Sequence, residues 1–182
     1  MKPRQGRRAT ERGGAPERRE TSSRPADPEA FAAAVLVATD AAVDSSSLIV
    51  LADIGVLPAA AAFWRLATVP AVATEIGALA ATVSLRLLPE PGAADADRAL
   101  VAAAAAAKLA VLSEDMKILR AAEDRGLTAF DSLVALEVLA ASGALPPPAA
   151  AAARRRLLAR NAYPPRRLSW AESVAAALAK LG

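Results

Sequence analysis

In the stretch AAVDSSSLI, residues 41–49, a run of small, β-prone residues ends in one carboxylate, Asp44, followed by three hydroxyls, Ser45, Ser46 and Ser47. An apolar pattern then starts at Leu48, Ile49, Leu51 and Ile54. This reads as a buried strand, a polar turn and an amphipathic helix. In an open α/β sheet, chemistry sits where strands hand over to helices. An Asp there, with hydroxyls to orient it, is a candidate ligand for a hard cation. Taken alone, it reads first as a cap on the next helix.

The chain contains no cysteine and no histidine. That excludes thiolate or imidazole zinc sites, disulfides, Cys and Ser-His nucleophile systems and histidine acid–base catalysis. Carboxylate, hydroxyl, Arg and Lys remain, so any metal is a hard one held by oxygen, such as Mg²⁺ or Mn²⁺.

The elements that must position such a site alternate along the chain. Residues 28–40 are apolar and read as either a short helix or an extra strand. The strand ending at Asp44 leads into a helix from Leu48 to Ile54, stopped by Gly55. Pro58 opens a helix over 59–65, and 67–69 are β-like. Pro70 opens a helix to about Ala81 that carries Glu75. A Pro-rich break spans 87–92. Asp95 and Asp97 precede an Ala-rich helix to Lys108, and Ala favours helix. The run LAVL at 109–112 is a buried strand ending in Ser113, Glu114 and Asp115. A helix to Gly126, a strand at 127–130 and a helix from Asp131-Ser132 through Leu139 follow. Residues 149–160 form a basic helix. The last helix runs from Ser169, with the capping pattern Ser169…Glu172, to Leu181. Strands alternating with helices imply an α/β fold, a mostly parallel sheet of about four to five strands with helices on both faces.

Parallel strands place their C-terminal ends on one rim, so Asp44, Glu75, Asp97 and Asp115 can converge there. Close carboxylates raise one another's pKa and call for a cation or water to screen them. A bound dication would polarise a phosphodiester and activate water, with no nucleophilic side chain needed. Individually, these acids read as solvated charges or as helix N-terminal acids favoured by the macrodipole. Glu114 is expected to point away from them.

The formal charge of +3 is uneven. Residues 1–27 hold eight bases and four acids, leaving fourteen bases and fifteen acids in the rest. That tail has almost no large apolar residues and is expected to be disordered. Arg154, Arg155, Arg156, Arg160, Arg166 and Arg167 crowd the C-terminal part. Such a cluster can contact phosphates, but it is more often a solvated helix face. Of these, Arg154, Arg155 and Arg156 are the candidates for an RNA backbone. No charge-free stretch of the roughly 20 residues a membrane span requires runs without prolines. No ordinary secretory signal is visible, so a cytoplasmic protein is expected. The aromatic residues are too few and scattered for a base-stacking platform.

The segments VDSSSLIVLADIGVLP, VPAVATEI and ADADRALVAAAAAAKLAVLSEDMKILRAAEDRGL resemble, in order and spacing, the PIN domain family. The likeness covers about residues 41–145. It implies a PIN-like three-layer α/β/α domain over 28–145, with residues 146–182 as a C-terminal helical extension packed on it. It also implies a Mg²⁺- or Mn²⁺-dependent endoribonuclease, the toxin of a toxin–antitoxin pair in many relatives, with RNA as substrate, an antitoxin partner and a homodimer. By resemblance Asp44, Glu75, Asp97 and Asp115 take the four acidic positions. Asp44, Asp97 and Asp115 hold the metal, and Ser46 is an orienting hydroxyl. The third position lies between Asp95 and Asp97. Helical register favours Asp97, which turns Leu100 and Val101 inward. Where many relatives have Gly-Thr, this chain has Phe130-Asp131-Ser132, so Asp131 is either an additional ligand or a helix cap, and the cap is favoured. Two alternatives belong to other classes: a PIN-like module that binds nucleic acid or protein without cutting, and a plain α/β structural protein.

Overall fold

A computed structural model describes residues 27–90, 92 and 95–181. Apart from Asp27, the basic tail expected to be disordered lies outside the described residues. Asp27 itself caps the first helix, α1 (Pro28–Val37), accepting hydrogen bonds from the Glu29 and Ala30 amides.

Five parallel strands form one sheet: β1 (Asp40–Val43), β2 (Arg65–Thr68), β3 (Arg86–Leu87), β4 (Ala110–Leu112) and β5 (Ala129–Phe130). Their order is β3-β2-β1-β4-β5. β1 is the central strand. Its Ala42 pairs with Ala67 on one side and Val111 on the other. Strands covered on both faces lose the alternating pattern and become short apolar runs, as Ala41–Val43 and Ala110–Leu112 do; all six of these residues are buried.

The connecting helices are α2 (Ser45–Asp53), α3 (Leu57–Phe63), α4 (Pro70–Ile76), α5 (Ala96–Ala107), α6 (Met116–Glu123) and α7 (Ser132–Ala141). Two further helices, α8 (Pro147–Arg160) and α9 (Pro165–Leu181), follow. α5 and α6 pack on each other and on the central strands. α2 and α3 pack on α7, which also carries α8 and, together with α1, α9. This is compatible with a three-layer α/β/α arrangement. Trp64, the largest fully buried side chain, has its ring 5.3 Å from that of Phe130 and shares one core with buried Leu48 and Leu51 of α2 and Leu133 and Leu136 of α7. A Phe31–Trp170 contact at 5.4 Å fastens α1 to α9. No single helix among the described residues is long and apolar enough to cross a membrane.

The segment 28–40, open between helix and strand in the sequence, is mainly helix, with Asp40 opening β1. Other expectations need correction. The supposed break after Arg86 begins with strand β3, a two-residue edge pairing with Ala67 and Thr68. Two exposed residues carry no alternation to announce it. The helix bearing Glu75 ends at Ile76, not near Ala81, because Gly77 takes φ +51°. Only glycine adopts that backbone readily, and a short 3-10 helix, Gly77–Thr82, follows. The last helix starts at Pro165, four residues before the expected cap. Prolines suit a first helical turn, and Ser169 lies inside the helix, its carbonyl accepting from the Ser173 hydroxyl.

Candidate functional site

From β1 the chain crosses to β2 and β3 on one side, then returns over α5 to β4 on the other. The C-terminal ends of β1 and β4 therefore flank the crevice where strand order reverses, the general ligand position in open parallel sheets. Asp44 and Ser113 stand one residue beyond the last paired residues of these strands, Val43 and Leu112.

Asp44 is buried, and its carboxylate organises the rim. Oδ1 accepts from the Ser47 amide at 2.8 Å, which caps α2. Oδ2 accepts from the Ser46 hydroxyl at 3.0 Å and the Ser113 hydroxyl at 2.5 Å. The Ser113 hydroxyl in turn accepts from the Asp115 amide at 3.0 Å. Ser46 is thus an orienting hydroxyl, as the sequence suggests, and Ser113 is a second one that the sequence did not single out. Next door, the Thr68 hydroxyl ties β2 to the Val43 carbonyl at 2.8 Å. Asp44 is therefore a cap and a rim carboxylate at once. An ionised carboxylate has about four acceptor sites; the three bonds here leave one for a cation.

Asp97 lies in the first turn of α5, Asp115 caps α6 through the Lys117 amide at 2.7 Å, and Glu75 lies on α4. All three are exposed. The Asp97 carboxyl is raised above its ordinary value by partial loss of solvent and by repulsion from Asp115, Asp95, Asp44 and Glu75. Carboxylates from three other segments and the neighbouring Asp95 therefore act on Asp97. Asp95 differs: its Oδ1 caps α5 through the Arg98 amide at 2.8 Å and its Oδ2 pairs with the Arg98 guanidinium at 3.5 Å. Leu100 and Val101, three and four residues on from Asp97, are buried, so Asp97 begins the inward face of α5 at its exposed first turn. The donor set suits a hard dication in kind: it is all oxygen and mutually repelling. Among the described residues, though, no three acids stand close enough to hold one ion. Asp97, Asp115 and Glu75 would have to swing in towards Asp44 to do so.

Asp131 is a cap, not an open ligand. Its Oδ1 accepts from the Val134 amide, and its Oδ2 takes Nε and Nη2 of Arg167 at 3.0 and 2.6 Å. Glu114 does turn from the acids and enters the same cluster. Its carboxylate accepts from the Ser132 amide at 2.8 Å and the Tyr163 hydroxyl at 3.0 Å, with Arg167 at 3.8 Å. The Arg167 guanidinium also lies 4.9 Å from the centre of the Tyr163 ring. Burial, and then the Glu114 charge, push the Tyr163 phenol well above its ordinary pKa. Sequence reading missed this cluster, whose members come from three separate parts of the chain.

Two of the three candidate RNA-backbone arginines serve the fold. Arg154 pairs with Glu137 and, at 3.8 Å, with Glu172. Arg156 donates to the Ile54 carbonyl at 3.2 Å. Arg155 is exposed. Arg160, like Arg167, reaches the cleft beside the rim. It pairs with Asp53 and lines this cleft of about 530 Å³ together with Ser46, Glu114, Asn161, Tyr163 and Arg167. Against protein-family models, curated proteins and solved structures alike, the chain finds no match.

Proposed function

We propose that this chain is a PIN-type endoribonuclease, dependent on Mg²⁺ or Mn²⁺, that cuts RNA at the crevice above Asp44. The observation that supports it is Asp44, a carboxylate buried at the sheet's switch point whose second oxygen meets only neutral hydroxyls. Asp44, Asp97 and Asp115 would hold the ion, with Glu75 beside them. When bound, such an ion neutralises the carboxylates, polarises the scissile phosphate and lowers the pKa of water. Asp44 contributes a fixed oxygen, because Ser46, Ser113 and the Ser47 amide hold its carboxylate in one orientation. Ser113 couples Asp44 to Asp115 through its hydroxyl. Arg160, on the cleft beside Ser46, is placed to meet a phosphate.

The test is cleavage of single-stranded RNA with Mn²⁺, with chelator, and with Asp44→Asn and Asp115→Asn. Cleavage that needs the metal and vanishes in both variants supports the reading. A parent that neither cuts nor shows acid-dependent Mn²⁺ binding in calorimetry sinks it. The spacing of the acids, too wide for three to share an ion as they stand, favours a second reading: a module that binds RNA without cutting. RNA binding with no acid-dependent heat from Mn²⁺ would support that one.

A further inference from the structure

Beside the acidic rim lies the cleft of about 530 Å³ bounded by the start of α2, the β4–α6 turn and the α8–α9 junction. Its size falls in the range of small-molecule sites. Its lining is divided by chemistry. Ile49, 40% exposed although large and apolar, gives one wall a surface for a flat ring. Tyr163, Glu114 and Arg167 are locked to one another, so Arg167 is already neutralised by Asp131 and Glu114. Asn161 spends one amide hydrogen on the Tyr163 hydroxyl at 3.1 Å. Its carbonyl and second amide hydrogen remain, an acceptor beside a donor. That fork matches the N6/N7 edge of adenine. Arg160 uses part of its guanidinium on Asp53, and its side chain is 42% exposed. A guanidinium has five N–H groups, enough to take a phosphate as well. Finally, Ser46 lines the cleft while donating to Asp44 at 3.0 Å, so one residue belongs to both the cleft and the carboxylate rim.

We infer that this cleft seats one nucleotide of a single-stranded RNA, its base edge on Asn161, its ring against Ile49 and its phosphate on Arg160. The substrate assignment rests on the ribonuclease reading; the nucleotide site itself is tested without metal. Asn161 then gives the site a preference for adenine.

The experiment is calorimetry or NMR titration of the full chain in chelator with adenosine, uridine and cytidine 5′-monophosphates and with inorganic phosphate. The adenine nucleotide should bind saturably, about tenfold more tightly than the pyrimidine nucleotides or phosphate. Asn161→Ala should erase the preference for adenine and leave phosphate binding alone. Arg160→Gln, a surface change that spares the fold, should weaken nucleotide and phosphate together. The inference is overturned by no saturable nucleotide binding, by phosphate binding as tightly as the adenine nucleotide, or by nucleotide affinity indifferent to both variants. RNA cleavage retained without nucleotide binding removes this site and spares the ribonuclease. Nucleotide binding without cleavage does the reverse.

Discussion

Replacing Asp44 should cost stability through two separable bonds, and the sizes can be worked out. In Asp44→Ala the Ser47 amide loses its cap, worth about 1 kcal/mol. The Ser113 hydroxyl, 0% exposed, loses its acceptor, and an orphaned buried hydroxyl costs about 1–3 kcal/mol. Ser46 is exposed, so water replaces its bond. The total is about 2–4 kcal/mol, or roughly 5–15 °C in Tm for a domain of this size. Asp44→Asn keeps an oxygen for the cap but turns an NH₂ toward hydroxyls that donate. Its cost should be about 1–2 kcal/mol, reduced by whatever repulsion with Asp97 it relieves.

The assay is chemical denaturation of the parent, Asp44→Ala, Ser113→Ala and the double variant. Groups in direct contact show coupling of about 0.5–3 kcal/mol in such a cycle, and a value near 1–2 is expected here. Repeating the series with Mn²⁺ adds the ligand arm. A site at a hundredfold excess over its Kd stabilises by about 2.7 kcal/mol, and Asp44→Asn should forfeit that gain. If Asp44→Ala unfolds like the parent, within about 0.5 kcal/mol, and shows no coupling to Ser113, Asp44 does not organise the rim.

Tyr163 is the only tyrosine in the chain, so phenol absorbance reports it alone. Its ionisation should begin well above pH 10 in the folded protein. The unfolded chain ionises first, so stability should fall as pH rises past 10; a normal titration in the native state would refute the buried contact with Glu114. In metal-free protein the raised Asp97 carboxyl means that the native state holds its proton more tightly than the unfolded chain. Stability should therefore rise as pH falls through the raised value toward 3.8. Asp97→Asn should remove that slope in a Tm series, and an unchanged slope would deny the repulsion. Lys108 ends α5 with φ +53°, the left-handed region. Lys108→Gly should stabilise the fold by about 1 kcal/mol in denaturant titrations, and a loss would show that the Lys side chain makes up for its backbone.

The parts legible in the sequence are those whose signals are local. β1 and β4 announce themselves as apolar runs ending in polar turns, and Pro70 marks the start of α4. Ordering the acids along the chain put Asp44, Asp97 and Asp115 at the ends and starts of the right elements. What was hidden depends on partners distant in the chain. Glu114 meets Tyr163 across 49 residues and Asp131 meets Arg167 across 36, and no local pattern encodes either pair. The same holds for Arg154, readable from the sequence as a phosphate contact or a solvated charge, which instead pairs with Glu137. β3 was missed because a two-residue exposed edge strand has no periodicity to display.

The opposition between cap and ligand, which the sequence leaves open at Asp44 and Asp131 and which the structure extends to Asp95, dissolves once acceptor sites are counted. All three residues cap a helix. A cap occupies one site of about four on a carboxylate, so capping alone excludes nothing. The second oxygen decides. In Asp95 it pairs with Arg98, and in Asp131 it is held by two nitrogens of Arg167. A cation approaching either would first have to displace a guanidinium. In Asp44 the second oxygen meets only neutral hydroxyls. These orient the carboxylate and leave its charge uncompensated. Of Asp44, Asp95 and Asp131, Asp44 alone combines burial at the switch point with a charge still available to a metal.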